Sequence, residues 1–167
     1  VPDGRPYEIE FEGAKVEISI TDESGKVDIN AADEAILYAL FNAVAGDDMR
    51  ARQLAAAVLD WRDADDLVRP EGAEEPDYEA AGLDYGPSQA GFTTIGELQQ
   101  VLGMDYELYR RIEPLITVYS RMPRPNAAYA SAGVIQALPG LTPQLAGQLV
   151  QQRRMMTPQQ MSGTPLM

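Results

Sequence analysis

The chain has 167 residues, 45% of them apolar, which suits one ordinary domain or one domain carrying an insertion. Its 13 Lys and Arg stand against 26 Asp and Glu, a net charge of −13 with a pI near 4.3, which opposes binding to nucleic acid or anionic lipid and favours cations and basic partners. Cys and His are absent, which excludes disulfides, thiolate and imidazole metal sites and every Ser-His or Cys-His nucleophile, so any metal must be held by oxygen, as Ca²⁺ or Mg²⁺ is.

The chain opens at Val1-Pro2 without Met, as expected of a processed fragment, and holds no run of eighteen apolar residues and no signal peptide. In YEIEFEGAKVEISI, Tyr7, Ile9 and Phe11 alternate with Glu8, Glu10 and Glu12, and Val16, Ile18 and Ile20 with Glu17 and Ser19. Period two with β-branched residues predicts two half-buried strands, turning at Gly13. A second turn, TDESGK, leads to an extended Val27-Asp28-Ile29.

Asn30 is a good N-cap for a helix bearing Ile36, Leu37, Leu40, Phe41 and Val44, ended by Gly46. Asp47 or Asp48 caps the next, whose buried stripe is Leu54, Val58, Leu59 and Trp61. Thr94 and Glu97 read as a capping box ahead of Leu98, Val101 and Leu102. Gly103 breaks that helix, and Asp105 caps another with Leu108, Tyr109 and Ile112 apolar, stopped by Pro114. Leu115 to Tyr119 reads as a strand and Arg121 to Pro125 as a linker. Helices resume at Val134–Leu138 and again after Thr142-Pro143, with Leu145, Leu149 and Val150 apolar. The tail after Arg154 has no periodicity and is expected to be irregular.

Between the second and third helices lies the densest charge. From Asp60 to Asp84 ten carboxylates (Asp60, Asp63, Asp65, Asp66, Glu71, Glu74, Glu75, Asp77, Glu79, Asp84) face two arginines, Arg62 and Arg69. Trp61, Leu67, Val68, Tyr78 and Leu83 run through it, so a structured oxygen-rich loop is expected rather than an acidic tail. Asp63, Asp65, Asp66, Glu74 and Asp77 are the candidate ligands, with Pro70 and Gly72 folding the loop back and Gly72 permitting a positive φ. The EF-hand pattern fails, since Leu67 stands where a ligand belongs. Two readings stay open here: a structural Ca²⁺ site, Mg²⁺ fitting an all-protein cage less well, and a solvated acidic loop.

The chain also repeats itself. NAADEAILYAL (30–40) and NAAYASAGVIQAL (126–138) share Asn-Ala-Ala and then match Ile36-Leu37-Tyr38-Ala39-Leu40 with Val134-Ile135-Gln136-Ala137-Leu138, the second copy carrying two extra residues. LPGLTPQLAGQL after it, and Leu102-Gly103-Met104-Asp105, read as helix–hairpin–helix turns or as ordinary helical hairpins.

The order of these pieces resembles general secretion pathway protein K, the large minor pseudopilin family of the type II secretion system. It is carried by D-x-N-A (28–31), D-W-x-D-A-D-D (60–66), R-P-x-G-A-E-x-x-D-Y (69–78), F-T-T-I-x-E-L-x-x-V-x-G-M (92–104), Y-x-x-I-x-P-x-I-T-V (109–118) and A-L-P-G-L (137–141). It extends from about Val16 to Arg154. The resemblance implies an α+β fold: a pilin-like scaffold of a few strands with a large inserted all-α domain of helix-hairpin-helix type. Its expected division is pilin-like strands over 1–29, the inserted α-domain over 30–113 with an acidic metal-binding loop at 60–85, and a strand and linker returning to the scaffold at 114–125. A second helical hairpin over 126–154 and an irregular tail over 155–167 complete it.

The resemblance further implies a periplasmic protein held in the inner membrane by a methylated N-terminal helix missing from this chain. It implies a place at the pseudopilus tip, the minor pseudopilins I and J as partners, and Ca²⁺ in the α-domain. MPRPN departs from the family where an apolar strand would precede the second Asn-led segment, as does the early end of the chain, where the family continues into closing pilin strands. The alternatives are a helix-hairpin-helix nucleic-acid-binding module, which the net charge opposes, and a paired-carboxylate glycosidase, for which no accompanying catalytic group is present. An assembly protein, not an enzyme, is the expected function.

Overall fold

The computed structural model describes residues 2–155; the expected irregular tail, apart from Met155, lies outside them. β1 (Asp3–Phe11) and β2 (Ala14–Thr21) pair antiparallel, with Tyr7 opposite Ile18 and Ile9 opposite Val16, and the turn uses Glu12 and Gly13 at positive φ. The alternation therefore places the aliphatic and aromatic side chains on one face and the glutamates on the other. The expected half-burial does not hold among the described residues. β2 is exposed throughout, and Phe11 and Ile20 are 63% and 55% accessible, because no other described element packs extensively on the hairpin.

A 3₁₀ turn at Glu23–Gly25, capped by Asp22, leads into β3 (Val27–Asp28), which pairs parallel with β4 (Ile116–Thr117). Only these two residues of the expected 115–119 strand are in a sheet. Between the two strands run α1 (Glu34–Ala45), α2 (Asp48–Arg62), α3 (Glu75–Ala80), a 3₁₀ segment at Ile95–Gln100, α4 (Tyr106–Ile112) and a 3₁₀ turn at Glu113–Leu115. After β4 come α5 (Ala132–Gln136) and α6 (Pro143–Met155). The chain is thus α+β.

Local chemistry sets the helix ends. Asp33, not Asn30, caps α1 by accepting from Ile36 N–H, and Asn30 is used elsewhere. Gly46 closes α1 in the left-handed conformation, φ 70°, open to glycine at no steric cost. Asp47 caps α2, Asp105 caps α4 and Ser131 caps α5. The Thr94–Glu97 capping box forms, on a 3₁₀ turn rather than an α-helix. The core gathers Ile36, Leu37, Leu40 and Phe41 of α1, Leu54 and Val58 of α2, Leu98, Ile112 of α4, and Val134 and Ile135 of α5. α1 against α2 is its main seam.

Candidate functional site: the acidic loop

α2 delivers Trp61 to the base of the loop. Its ring stacks on Phe92 at 5.9 Å and meets Tyr78 of α3 at 6.2 Å. Trp61, Tyr78 and Phe92 are all buried, so residues before, within and after the loop share one aromatic floor. The Tyr78 hydroxyl accepts from Leu102 N–H, tying that floor to the segment beyond.

One residue inward from Trp61 is Asp60, which is 0% exposed. It was not among the predicted ligands, yet it organises the loop. One oxygen accepts from Arg69 N–H and from Ala73 N–H (2.9 Å), and the other from the Arg69 guanidinium (2.6 Å). A buried carboxylate is retained where such partners replace its water. The same guanidinium pairs with Asp63. Arg69 is thus a built-in counter-cation, and its two carboxylate partners raise its pKa. The sharp Arg69–Gly72 turn makes this possible, but not through a positive φ at Gly72: Glu71 takes the left-handed conformation, φ 66°. Gly72 is required for space, since a Cβ there would stand 1.9 Å from Asp60 Oδ2.

The predicted ligands divide. Asp63 is half-buried, with Oδ2 on Arg69 and Oδ1 buried without a hydrogen-bond partner. Glu74 is 4% exposed, and its Oε1 also lacks a partner. Burial, and then the field of Asp60, Asp63, Asp66 and Asp65, push Glu74 up to about 6. Asp65 and Asp66 are exposed, one accepting from Leu67 N–H and the other from the Gln89 side chain. Asp77 faces Glu74 N–H at the start of α3. Four of the five therefore share one electrostatic neighbourhood, and Asp77 belongs to the helix cap. Among the described residues no three or more acidic side chains lie together in an arrangement that could hold a metal ion. Two buried carboxylate oxygens without a hydrogen-bond partner, on Asp63 and Glu74, with the three further carboxylates Asp60, Asp65 and Asp66 in the field at Glu74, are nonetheless the donor type a hard cation takes.

Sequence reasoning missed Asp60 because it counts as one more helix residue until the turn brings two backbone amides and Arg69 onto it. The signal was the spacing of an Asp at the end of a helix with R-P-x-G nine residues on.

The overall arrangement is found in a known structure. A crystal structure described as "The Crystal Structure of the GspK-GspI-GspJ complex from enterotoxigenic Escherichia coli Type 2 Secretion System" contains a chain that matches 97% of this one and 62% of its own length, with a TM-score of 0.65 and 18% identity. That likeness defines the class of fold: mixed helix and strand, as in a component of that assembly. A family model described as "Type II secretion system (T2SS), protein K" matches residues 18–124. The chain belongs to the type II secretion system protein K family. It is 40% identical over 67 residues to the Type II secretion system protein K of Pectobacterium carotovorum subsp. carotovorum, covering 40% of this chain and 20% of that protein. To those of Dickeya chrysanthemi and Klebsiella pneumoniae it is 35% and 34% identical over 72 and 95 residues, covering 43% and 57% of this chain. The matched segments span 19% and 28% of those two relatives. No described helix is long and apolar enough to cross a membrane.

Proposed function

We propose that this chain is the periplasmic α-domain region of a minor pseudopilin that caps the tip of the type II secretion pseudopilus, assembles with the minor pseudopilins I and J, and helps start pseudopilus formation. The observation that carries this is the fold: nearly the whole chain matches a chain from a complex described by those three components. An assembly role also suits a surface that is strongly acidic and a hairpin whose apolar face is exposed. In the same proposal the full-length protein is anchored in the inner membrane by a helix preceding this region. The test is co-purification of this chain with candidate pseudopilins I and J from the same bacterium. A stable ternary complex is expected, and failure with both partners overturns the assignment.

The second part of the proposal is a structural Ca²⁺ in the acidic loop, held by Asp63, Asp65, Asp66 and Glu74. What supports it is the pair of buried oxygens, Asp63 Oδ1 and Glu74 Oε1, with no donor of their own. The cation would supply charge neutralisation and order the loop. Chelation with EGTA is expected to lower the melting temperature, and Asp65→Ala to reduce its dependence on Ca²⁺. A melting curve that neither EGTA nor Asp65→Ala moves overturns the calcium proposal and leaves the assembly proposal standing.

A further inference from the structure

The internal repeat has a structural basis that its Asn-Ala-Ala openings do not reveal. Arg62, at the end of α2, donates to Ile29 C=O (2.5 Å) and Ala32 C=O (2.8 Å). Arg153, near the end of α6, donates to Ala127 C=O (3.0 Å) and Ala130 C=O (2.6 Å). The two pairs of acceptors are each 98 positions apart, as are the N-caps Asp33 and Ser131. The second helices match at a separation of 91 positions: Leu54-Ala55, Val58-Leu59 and Arg62 correspond to Leu145-Ala146, Leu149-Val150 and Arg153. The difference of seven residues is the difference between α1, with 12 residues, and α5, with 5. The connection after α5 is four residues longer than that after α1, and α6 starts four residues nearer its arginine than α2 does, so these two differences cancel. The chain therefore holds two copies of one unit, a helix pair whose second helix returns an arginine to the carbonyls that precede the first.

Among the positions where the copies differ, Asn30 is one that reaches across the sequence. At 98 positions' separation Asn30 corresponds to Ala128, and the Asn-Ala-Ala match is out of register by two residues. Asn126 turns locally, accepting from Ala128 N–H. Asn30 instead reaches across the sequence. It accepts from Phe92 N–H (2.8 Å) and donates to Phe92 C=O (2.9 Å). Its own N–H is fixed by Asp28 Oδ1 at 2.9 Å. Gly91 lies against the same side chain, its would-be Cβ 3.2 Å from Asn30 Oδ1.

Residues 63–91 take in most of the acidic stretch and the segment that follows it, and Arg62 and Phe92 flank them. Both are held by the segment 29–32, one through its carbonyls and the other through the Asn30 side chain. We infer that Asn30 and Arg62 are positioning residues that bracket the acidic loop, fixing both its ends to one short segment so that its carboxylates are confined before any cation arrives. Pinning the ends removes much of the conformational freedom a loop of this length would otherwise lose when its ligands converge. The second copy keeps the arginine and carries alanine in place of Asn30. The part concerning a cation rests on the Ca²⁺ proposal above; the bracket itself does not.

The test is amide hydrogen exchange over 63–91, with α4 as internal reference, on the whole chain carrying Asn30→Ala or Asn126→Ala, together with calorimetric titration with CaCl2. Loss of two hydrogen bonds is expected to speed loop exchange about tenfold or more in Asn30→Ala while α4 is unchanged. Asn126→Ala is expected to leave the loop as in the wild type. Asn30→Asp keeps the acceptor for Phe92 N–H and is expected to restore part of the protection; it also serves if Asn30→Ala does not fold. Wild-type protection of the loop in both Asn30 variants overturns the bracket. With the loop loosened, Ca²⁺ affinity is expected to fall by a similar factor in Asn30→Ala and to recover partly in Asn30→Asp. Unchanged affinity overturns the positioning role. A loosened loop in a chain whose wild type binds no Ca²⁺ keeps the bracket and overturns the cation proposal.

Discussion

Glu74→Gln separates the electrostatics of the acidic loop from its shape. Burial and the neighbouring aspartates raise Glu74 from its ordinary 4.5 to about 6. Between these values the folded chain binds more protons at this site than the unfolded chain, so the Glu74 contribution to stability falls as pH rises through that window. Above about pH 6 the penalty is complete. At about 1.36 kcal/mol per pH unit, the distance from 4.5 to about 6 amounts to about 2 kcal/mol. Gln has the same shape and no charge to desolvate. Without Ca²⁺, Glu74→Gln is therefore expected to be more stable than wild type by about 2 kcal/mol at pH 7.5, and equal to it near pH 4. Urea titrations across this pH range measure the difference. On the Ca²⁺ proposal, saturating Ca²⁺ is expected to reverse the order. A cation at a hundred times its Kd adds about 2.7 kcal/mol to the wild type, and less to a variant lacking one anionic ligand. A variant no more stable than wild type in EGTA at pH 7.5 refutes the electrostatic reasoning. A difference that persists at pH 4 assigns the effect to packing instead.

Two further substitutions probe the turn beneath the loop. Arg69→Met strips the counter-cation from the buried Asp60 and is expected to cost about 3–5 kcal/mol in a denaturant titration; an effect below about 1 kcal/mol would mean Asp60 does not depend on Arg69. Gly72→Ala drives a methyl group into Asp60 Oδ2 and is expected to cost about 1–3 kcal/mol, largely removed in the double variant Gly72→Ala with Asp60→Ala, whose non-additivity measures the contact.

Much of the α-helical part was legible because its signals are local. Caps at Asp47, Thr94 and Asp105 and the breaker at Gly46 act within one turn, and the stripes on α1, α2 and α4 have the helical period. Asn30 was misread for an informative reason. A good N-cap residue three positions before Asp33 competes with it, and which one caps is decided by Phe92, 62 residues away. The strand alternation gave the correct facing of the hairpin but not its burial, since period two states which residues share a face and says nothing of what covers it. The loop's charge was visible and its organiser was not. Asp60 and Arg69 meet only after the 69–72 turn closes, and no periodicity connects an Asp on a helix to an Arg in a loop. The apolar residues within the charge run pointed to a structured loop, and Trp61 and Tyr78 are indeed buried there.

An internal arginine and an external cation answer different parts of the same electrostatic problem. Arg69 is covalently part of the loop, so it can neutralise Asp60 and Asp63 while the turn forms, when a bound ion has no site to occupy. Its planar guanidinium reaches the two carboxylates from one side and leaves Asp63 Oδ1 without a partner. Glu74 lies at the start of α3, where an N-terminal dipole favours its charge, yet burial and four aspartates outweigh that and push its pKa up. An arginine that also reached Glu74 would have to abandon Asp60, whose burial is complete. Protonation near pH 6 relieves part of the remaining charge, and a bound cation would relieve more. At neutral pH protonation of Glu74 is mostly lost, and on the Ca²⁺ proposal the uncompensated charge is what the ion would neutralise. Binding of that ion should then release a fraction of a proton from Glu74, growing as the pH falls from 7 toward 6.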